Sequence, residues 1–347
     1  MRRFSAPFVI GLLVLLLPLV VMFAMGTGTV NISIVDIWRA IMGLFFSDSS
    51  SLSSSSQIHT ILFDIRLPRI LLALCLGAIL AISGAVMQGL FRNPLADPSL
   101  IGVSGGASVG ASIVIVMAGG WIQSGSALGL SAVAAGAFAG GFIATILVYR
   151  LATSEIGTSV TTMLLAGIAI GAIAGAVNSL LSYFADNDML RQISLWQMGN
   201  LSTANWSRVA MVATVAMVLV GLFPRDSRAL NALLLGESEA RHLGIDVQRV
   251  KRRLIVLTAL GIGTSVAMAG MIGFVGLVVP HAIRLLIGPD HRWLLPGSAL
   301  AGAILLIIAD SLARVVVAPT ELPTGILTAL LGAPFFIALL IQRRREI

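Results

Sequence analysis

The chain has 347 residues, of which 57% are hydrophobic and only 11% charged, with a mean hydropathy of +1.00. A soluble domain carries about 25% charged residues, so an ordinary water-soluble protein is excluded and the bilayer becomes the main solvent. The net charge of +7 does not signal nucleic acid, because the basic residues lie in short segments between apolar runs, without a basic face or interleaved aromatics.

Apolar stretches of roughly 20 residues, each able to cross about 30 Å of hydrocarbon, recur from end to end. They predict an all-α polytopic membrane protein of about ten transmembrane helices. The spans fall near 6–26, 65–90, 99–118, 127–149, 159–181, 204–223, 253–270, 272–288, 294–316 and 323–341. The first begins behind Arg2 and Arg3. Its apolar run, Phe8 to Met25, is longer than a signal-peptide core and lacks a convincing cleavage site, so it is read as a span. Residues 27–64 form an outer loop with a short amphipathic piece, Ile34 to Phe46, followed by a flexible serine-rich run, Ser47 to Ser56. Cys75, the single cysteine, excludes an internal disulfide and reads as inert packing.

Gly167, Gly171 and Gly175 recur every four residues along the fifth span, a small-residue stripe that lets helices approach closely. Residues 224–253 form one large loop with charges of both signs, which predicts one or two short helices lying at the membrane surface. Pro68, Pro94, Pro98, Pro280, Pro296, Pro323 and Pro334 interrupt other segments. Broken helices are tolerated where the freed backbone groups face protein or a watery cavity, which favours a transporter or channel over a simple anchor. With the N-terminus cytoplasmic, all but six of the 22 lysines and arginines fall on the inner side. The six are Arg39, Arg66, Arg69, Arg191, Arg208 and Arg314. The positive-inside rule thus places both termini in the cytoplasm.

Four separated groups of residues carry a resemblance. The first runs Arg66-Leu-Pro-Arg69, Gly84-Ala-Val-Met-Gln88, Asn93-Pro-Leu-Ala-Asp-Pro98 and Gly102-Val-Ser-Gly-Gly106. The others are Gly236-Glu-Ser-Glu-Ala-Arg-His-Leu-Gly244, Gly273-Phe-Val-Gly-Leu-Val-Val-Pro-His281, and Glu321-Leu-Pro-Thr-Gly325 leading to Gly332-Ala-Pro334. In this order the chain resembles the permease family of ABC importers for cobalamin, ferric siderophores and heme. The resemblance implies a single transmembrane permease domain over 1–347, a homodimer with the pathway on its two-fold axis, two ATPase subunits inside and a periplasmic binding protein outside.

The residues support several of these parts independently. A Walker A loop needs a glycine-rich turn before its lysine, yet the only lysine, Lys251, sits in Val-Lys-Arg-Arg. ATP therefore belongs on a partner subunit, and no permanently bound cofactor or metal is expected. Asp310 is the only acidic residue deep in a span and has Arg314 at i+4. A secondary transporter would need ion-coupling residues at the midplane and a channel a filter or charged ring; neither pattern is evident.

By the resemblance, Gly236, Glu237, Glu239, Arg241, His242, Leu243 and Gly244 form the helix that couples to the ATPase; the plain alternative is an interfacial helix among lipid headgroups. Arg66, Arg69 and Arg314 are expected to dock glutamates of the binding protein, or else to snorkel to headgroups. The fifth span, with Gly167, Gly171 and Gly175, lines the family's pathway. The segment Leu190-Arg-Gln-Ile-Ser-Leu-Trp-Gln-Met-Gly-Asn-Leu201 looks most like the heme branch. There Arg191 would attract heme propionates, or anchor a headgroup beside Trp196. Heme or a related iron chelate is the expected substrate, with a ferric siderophore or cobalamin as alternatives.

Overall fold

The computed structural model describes residues 4–28, 30, 32–43, 54–118, 126–155 and 157–344. Arg2, Arg3 and Arg345, and the part of the serine-rich run from Ser47 to Ser53, lie outside the described residues. The helices are α1 (Ala6–Gly26), α2 (Ile34–Gly43), α3 (Ser54–His59), α4 (Leu67–Leu90) and α5 (Val103–Ala118). Next come α6 (Ala127–Ala152), α7 (Val160–Phe184), α8 (Asn187–Gln197), α9 (Trp206–Leu222) and α10 (Ser227–Leu235). The last are α11 (Glu237–His242), α12 (Val247–Ala269), α13 (Val275–Ile287), α14 (His291–Ala313) and α15 (Thr324–Arg344). A hairpin of two short antiparallel strands, β1 (Thr153–Ser154) and β2 (Gly157–Thr158), joins α6 to α7.

Each expected span falls on a helix. Among the described residues, 7 helical runs are long and apolar enough to cross a membrane. The shorter apolar helices Val103–Met117, Val275–Ile287 and Thr324–Ala338 account for the rest. Local chemistry sets their starts. Ser126 caps α6, Asp186 caps α8, Asn205 caps α9 and Asp246 caps α12, each side chain accepting from an amide three residues on.

Two boundaries differ from the sequence reading. The second span begins at Gln57, because α3 runs through a π-helical stretch, Thr60–Arg66, into α4. His59 and Asp64 lower the hydropathy there without stopping a helix. The seventh begins at Val247, since Arg249, Lys251, Arg252 and Arg253 end an apolar window yet are good helix formers behind a cap. The expected loop 224–253 therefore contracts. α10 continues α9 through a 3₁₀ turn, Phe223–Asp226, and α11 is the only free-standing piece.

α4 is the axis of the subunit, with 89% of the most apolar window of its helical run buried. It approaches α14 and α13 so closely that a side chain at Gly77 would run into the Gly302 carbonyl, and one at Gly84 into the Gly276 carbonyl. α5 and α6 touch through the same device, Gly106 on Gly140 and Gly110 on Gly136. By contrast α7 is only 17% buried over its window. Its polar tie is Asn178, which donates to Ser108 Oγ (2.9 Å) and accepts from Ser112 Oγ (2.7 Å) on α5.

The α4–α13 contact makes a sharp prediction. Gly84→Val should lower stability by about 1–3 kcal/mol or abolish folding, as overpacking does. Gly171→Ala, with open space where its Cβ would stand, should melt at or slightly above the wild-type temperature. Thermal unfolding of the detergent-solubilised variants, followed by size-exclusion fluorescence, measures both.

Candidate functional site

The two ends of the bundle are built differently. At the end rich in arginine, the Phe4 amide donates to Leu286 O (3.1 Å), so α1 starts beside the end of α13. α11 projects here between Gly236 (φ 130) and Gly244 (φ 80), left-handed backbone that glycine adopts without strain. Arg241 and His242 are exposed, as is Glu239, and Leu243 is 64% exposed, an apolar side chain held out at the tip. Arg241 stands 3.8 Å from Glu237. All the residues expected in the coupling element therefore lie together on one protruding turn.

Arg241 also faces Arg92 across a polar cavity of about 520 Å³, lined further by Ser154, Thr161 and Gln248. α10 is tied to the membrane part from the other side. The Asn231 side chain accepts from the His291 amide (2.9 Å) and donates to Asp290 (2.7 Å). That bond, with one from the Arg292 amide (3.0 Å), holds the Asp290 carboxyl below its ordinary value of 3.8. A depressed carboxylate contributes fully above its unfolded pKa, so this tie is intact at neutral pH and is lost only as pH falls below that range.

Deeper in, the chain is broken twice at mid-bundle. Residues 91–102 fold back after α4 and bring Pro98 against Gly276, while 270–274 separate α12 from α13. Phe274 (φ 67) and Arg92 (φ 50) adopt the left-handed region that non-glycine residues rarely enter. A mostly apolar cavity of about 350 Å³ lies between the breaks, lined by Leu80, Asp97, Pro98, Val266 and Phe274. Gln88 covers part of the exposed backbone, donating to Leu277 O (3.0 Å) and accepting from Arg284 (2.9 Å).

The opposite end holds a buried ionic cluster. Arg69 grips Asp310 with two parallel bonds, Nε to Oδ2 (2.9 Å) and Nη2 to Oδ1 (3.0 Å), and reaches Glu321 through Nη1 (2.7 Å). Thr324 adds a bond to Asp310 (3.0 Å), and Arg314 Nε stands 3.4 Å from the same carboxylate. Arg314 also donates to Ala24 O (3.2 Å), while Arg66 donates to the carbonyls of Met25 and Val30 at the end of α1. The three arginines expected to dock the binding protein all lie at this end, turned inward. Arg66, Arg69 and Arg314 are all at most 5% exposed, and their guanidinium groups are committed to internal acceptors, so in this conformation they offer no surface to a partner. The i+4 pairing of Asp310 with Arg314 is present but secondary; the bidentate partner, Arg69, lies on another helix.

Arg191 lies on α8, exposed, and α8 follows directly on the end of α7. Of the glycine stripe, Gly167 is buried, whereas Gly171 and Gly175 have no atom within 4 Å of their Cβ positions and face out of the subunit. Among the described residues no group of three His, Cys, Asp or Glu side chains is placed to hold a metal.

This architecture, with a buried axis, mid-bundle helix breaks and an exposed turn at the basic end, defines a multi-pass transport protein. The chain belongs to the FecCD transport family, whose pattern matches residues 15–342. It is 42% identical over 344 residues to the hemin transport system permease protein HmuU of Yersinia pestis, covering 99% of this chain and 98% of that protein. It is 46% identical over 289 residues to the cobalamin import system permease protein BtuC of Halobacterium salinarum, covering 83% and 75%. A solved structure described as an inward-facing ABC transporter of the metal-chelate type superposes with a TM-score of 0.81 at 33% identity, over 97% of this chain and 99% of that one. The chain is accordingly an ABC-importer permease, multi-pass in the bacterial inner membrane.

The buried cluster should behave unlike a surface pair. Asp310→Asn leaves the buried Arg69 and Arg314 with only the partly exposed Glu321 carboxylate between them and should cost about 3–5 kcal/mol. Glu321→Gln, at a half-exposed carboxylate, should cost under about 1 kcal/mol. Melting of both variants in low and high salt checks this; the Asp310 effect should persist at about 1 M salt, where the screening length falls to about 3 Å.

Proposed function

We propose that this chain is the membrane-spanning subunit of a binding-protein-dependent importer that carries heme, or a related iron chelate, from the periplasm to the cytoplasm. The observation that carries the substrate is the end-to-end similarity to a hemin permease, joined to the free Arg191 at the end opposite the exposed turn. Arginine suits heme because its permanent, forked guanidinium pairs with a carboxylate such as a propionate. Cobalamin is the second reading, favoured by the 46% identical permease named for it, and a ferric siderophore remains within the same architecture.

In this reading the ten helices are all spans, both termini are cytoplasmic, and the subunit pairs with a second copy. The open face of α7 at Gly171 and Gly175 supports a place for that helix on the shared axis, since nothing in its own subunit covers it. Two ATPase subunits, which hold the ATP, sit at the basic end against α11. Gly236, Glu237, Glu239, Arg241, His242, Leu243 and Gly244 form the contact, Leu243 entering an apolar groove and the charged residues pairing around it. The binding protein docks at the other end, and the chain itself catalyses nothing.

Removing the tip should uncouple the machine. Arg241→Ala with Leu243→Ala should leave insertion and dimerisation intact, while hemin uptake into proteoliposomes, per ATP hydrolysed by the assembled complex, falls at least about tenfold. Uptake equal to wild type would make α11 a mere surface helix.

Arg191→Glu tests the substrate. It should slow hemin uptake several-fold without changing melting temperature, because Arg191 is exposed, and should leave cobalamin uptake, if any, unaffected. ATPase stimulation by binding protein loaded with hemin, siderophore or cobalamin ranks the three substrates directly.

A further inference from the structure

Lys251 is the only lysine in the chain, and it is 2% exposed. A buried ammonium persists only where its donors find acceptors. Lys251 Nζ donates to Glu237 Oε1 (2.5 Å), at the first residue of α11, and to Thr158 O (2.9 Å), at the end of the hairpin that precedes α7. One turn earlier on the same face of α12, Gln248 Oε1 accepts from the Thr158 amide (3.0 Å). Both backbone polar groups of Thr158 are thus held by side chains three residues apart on one helix.

The hairpin itself is stiff. The Ser159 amide donates to Ala152 O (2.8 Å), the Thr153 and Thr158 hydroxyls lie 3.0 Å apart, and Ser159 caps α7 through the Thr162 amide (3.3 Å). Gly157 (φ +129) leaves no room for a side chain beside Gln248. α7 is otherwise the least buried of the long spans, so its start is fixed more firmly than its body. Glu237, for its part, is the polar anchor of α11, beside the buried Ala240, on a short helix set between the positive-φ glycines Gly236 and Gly244.

We propose that Lys251 is a positioning residue whose two bonds make α11 and the start of α7 move as one body, so that a displacement of the exposed turn is delivered to the least supported helix of the subunit. The claim deepens the proposed function and its second half rests on that reading, but the mechanical link itself belongs to this chain alone. Gln248 completes the grip on the hairpin without touching α11.

Thermodynamic linkage is reciprocal, which gives a test on the purified permease without any partner. Amide hydrogen exchange reports local opening. Gln248→Ala should speed exchange in residues 157–162 and, at a distance, in α11 (237–242). Glu237→Gln should speed exchange in α11 and, by a similar factor, in 157–162. The remote effect should be at least about fivefold, the lower end of measured couplings. If each variant loosens only its own segment, the link does not exist. Should Lys251→Met fold poorly, these two variants suffice: Gln248→Ala removes the acceptor of the Thr158 amide, Glu237→Gln replaces the carboxylate that pairs with the ammonium by a neutral amide, and both keep the lysine. In the complex with its ATPase and hemin-loaded binding protein, Gln248→Ala should lower hemin moved per ATP at least about fivefold. Remote exchange with an unchanged ratio overturns the relay. A wild-type complex that neither hydrolyses nor transports overturns the importer reading and leaves the exchange result standing.

Discussion

In hydrocarbon every backbone amide and carbonyl must find a partner within the protein, and this chain breaks its helices at mid-bundle nonetheless. It can do so because α4 is enclosed. Glycines at 77 and 84 bring α14 and α13 to backbone contact with it. Gln88 then reaches the carbonyls of Gly276 and Leu277, the first of which finds no amide at i+4 because that residue is Pro280. At the far end of the same helix, Arg69 ties α4 to α14 and to the segment before α15 through Asp310 and Glu321. The breaks, the cavity between them and the positions of α13 and α15 all follow from how α4 is clasped.

Charge is confined to the two ends, and it is used differently at each. At one end guanidinium groups are sealed against carboxylates and helix-end carbonyls, which gives a rigid cap joining the end of α1 to α4 and α14. Burial there makes the Arg69–Asp310 pair costly to break and insensitive to salt, unlike the more exposed pair with Glu321. At the other end arginines stand in solvent or face a polar cavity, and the one free-standing helix projects from the bundle on glycine joints. A rigid cap at one end and a glycine-jointed turn at the other is the arrangement expected of a device driven from one side.

Much of this was legible in the residues. Span existence followed from apolar length, whereas the start of α12 behind Asp246 did not, because the basic residues after that cap end the apolar window without ending the helix. A short surface helix was legible in the mixed charges of 224–253, and the family resemblance placed it at Gly236 to Gly244. The roles of Arg66, Arg69 and Arg314 were not. An arginine that snorkels, one that docks a partner and one that is sealed inside look alike in sequence, and the difference lies in Asp310 and Glu321, more than two hundred residues from Arg69. A signal did exist, since a carboxylate deep in a span demands a partner, but local i+4 spacing pointed to Arg314 first. Lys251 was hidden for a related reason. It sits in a run of four basic and apolar residues, and only the fold shows that its neighbours Arg249 and Arg252 face outward while it faces in. The hairpin at 153–158 was too short to register as strand.

Among the described residues, the cavity between the helix breaks is mostly apolar, with Asp97, Ser99 and Ser104 as its polar side chains. Leu80, Ile262, Val266, Ile272 and Phe274 supply its apolar wall, and Gly171 and Gly175 lie on the open face of α7. For a carrier this is a physical advantage. A bulky chelate must enter and also leave, so a pathway that bound it strongly through many fixed contacts would hold it. Small apolar walls exclude few shapes and grip none, which accounts for one scaffold being shared by permeases named for hemin and for cobalamin. Under the proposed function, selection among cargoes falls to the rim, where charge is available and water still competes, and Arg191, exposed on α8, is the cation proposed for it. Under the proposed function, specificity and motion are therefore separated in space: the rim chooses, the apolar interior permits, and the turn at the basic end drives.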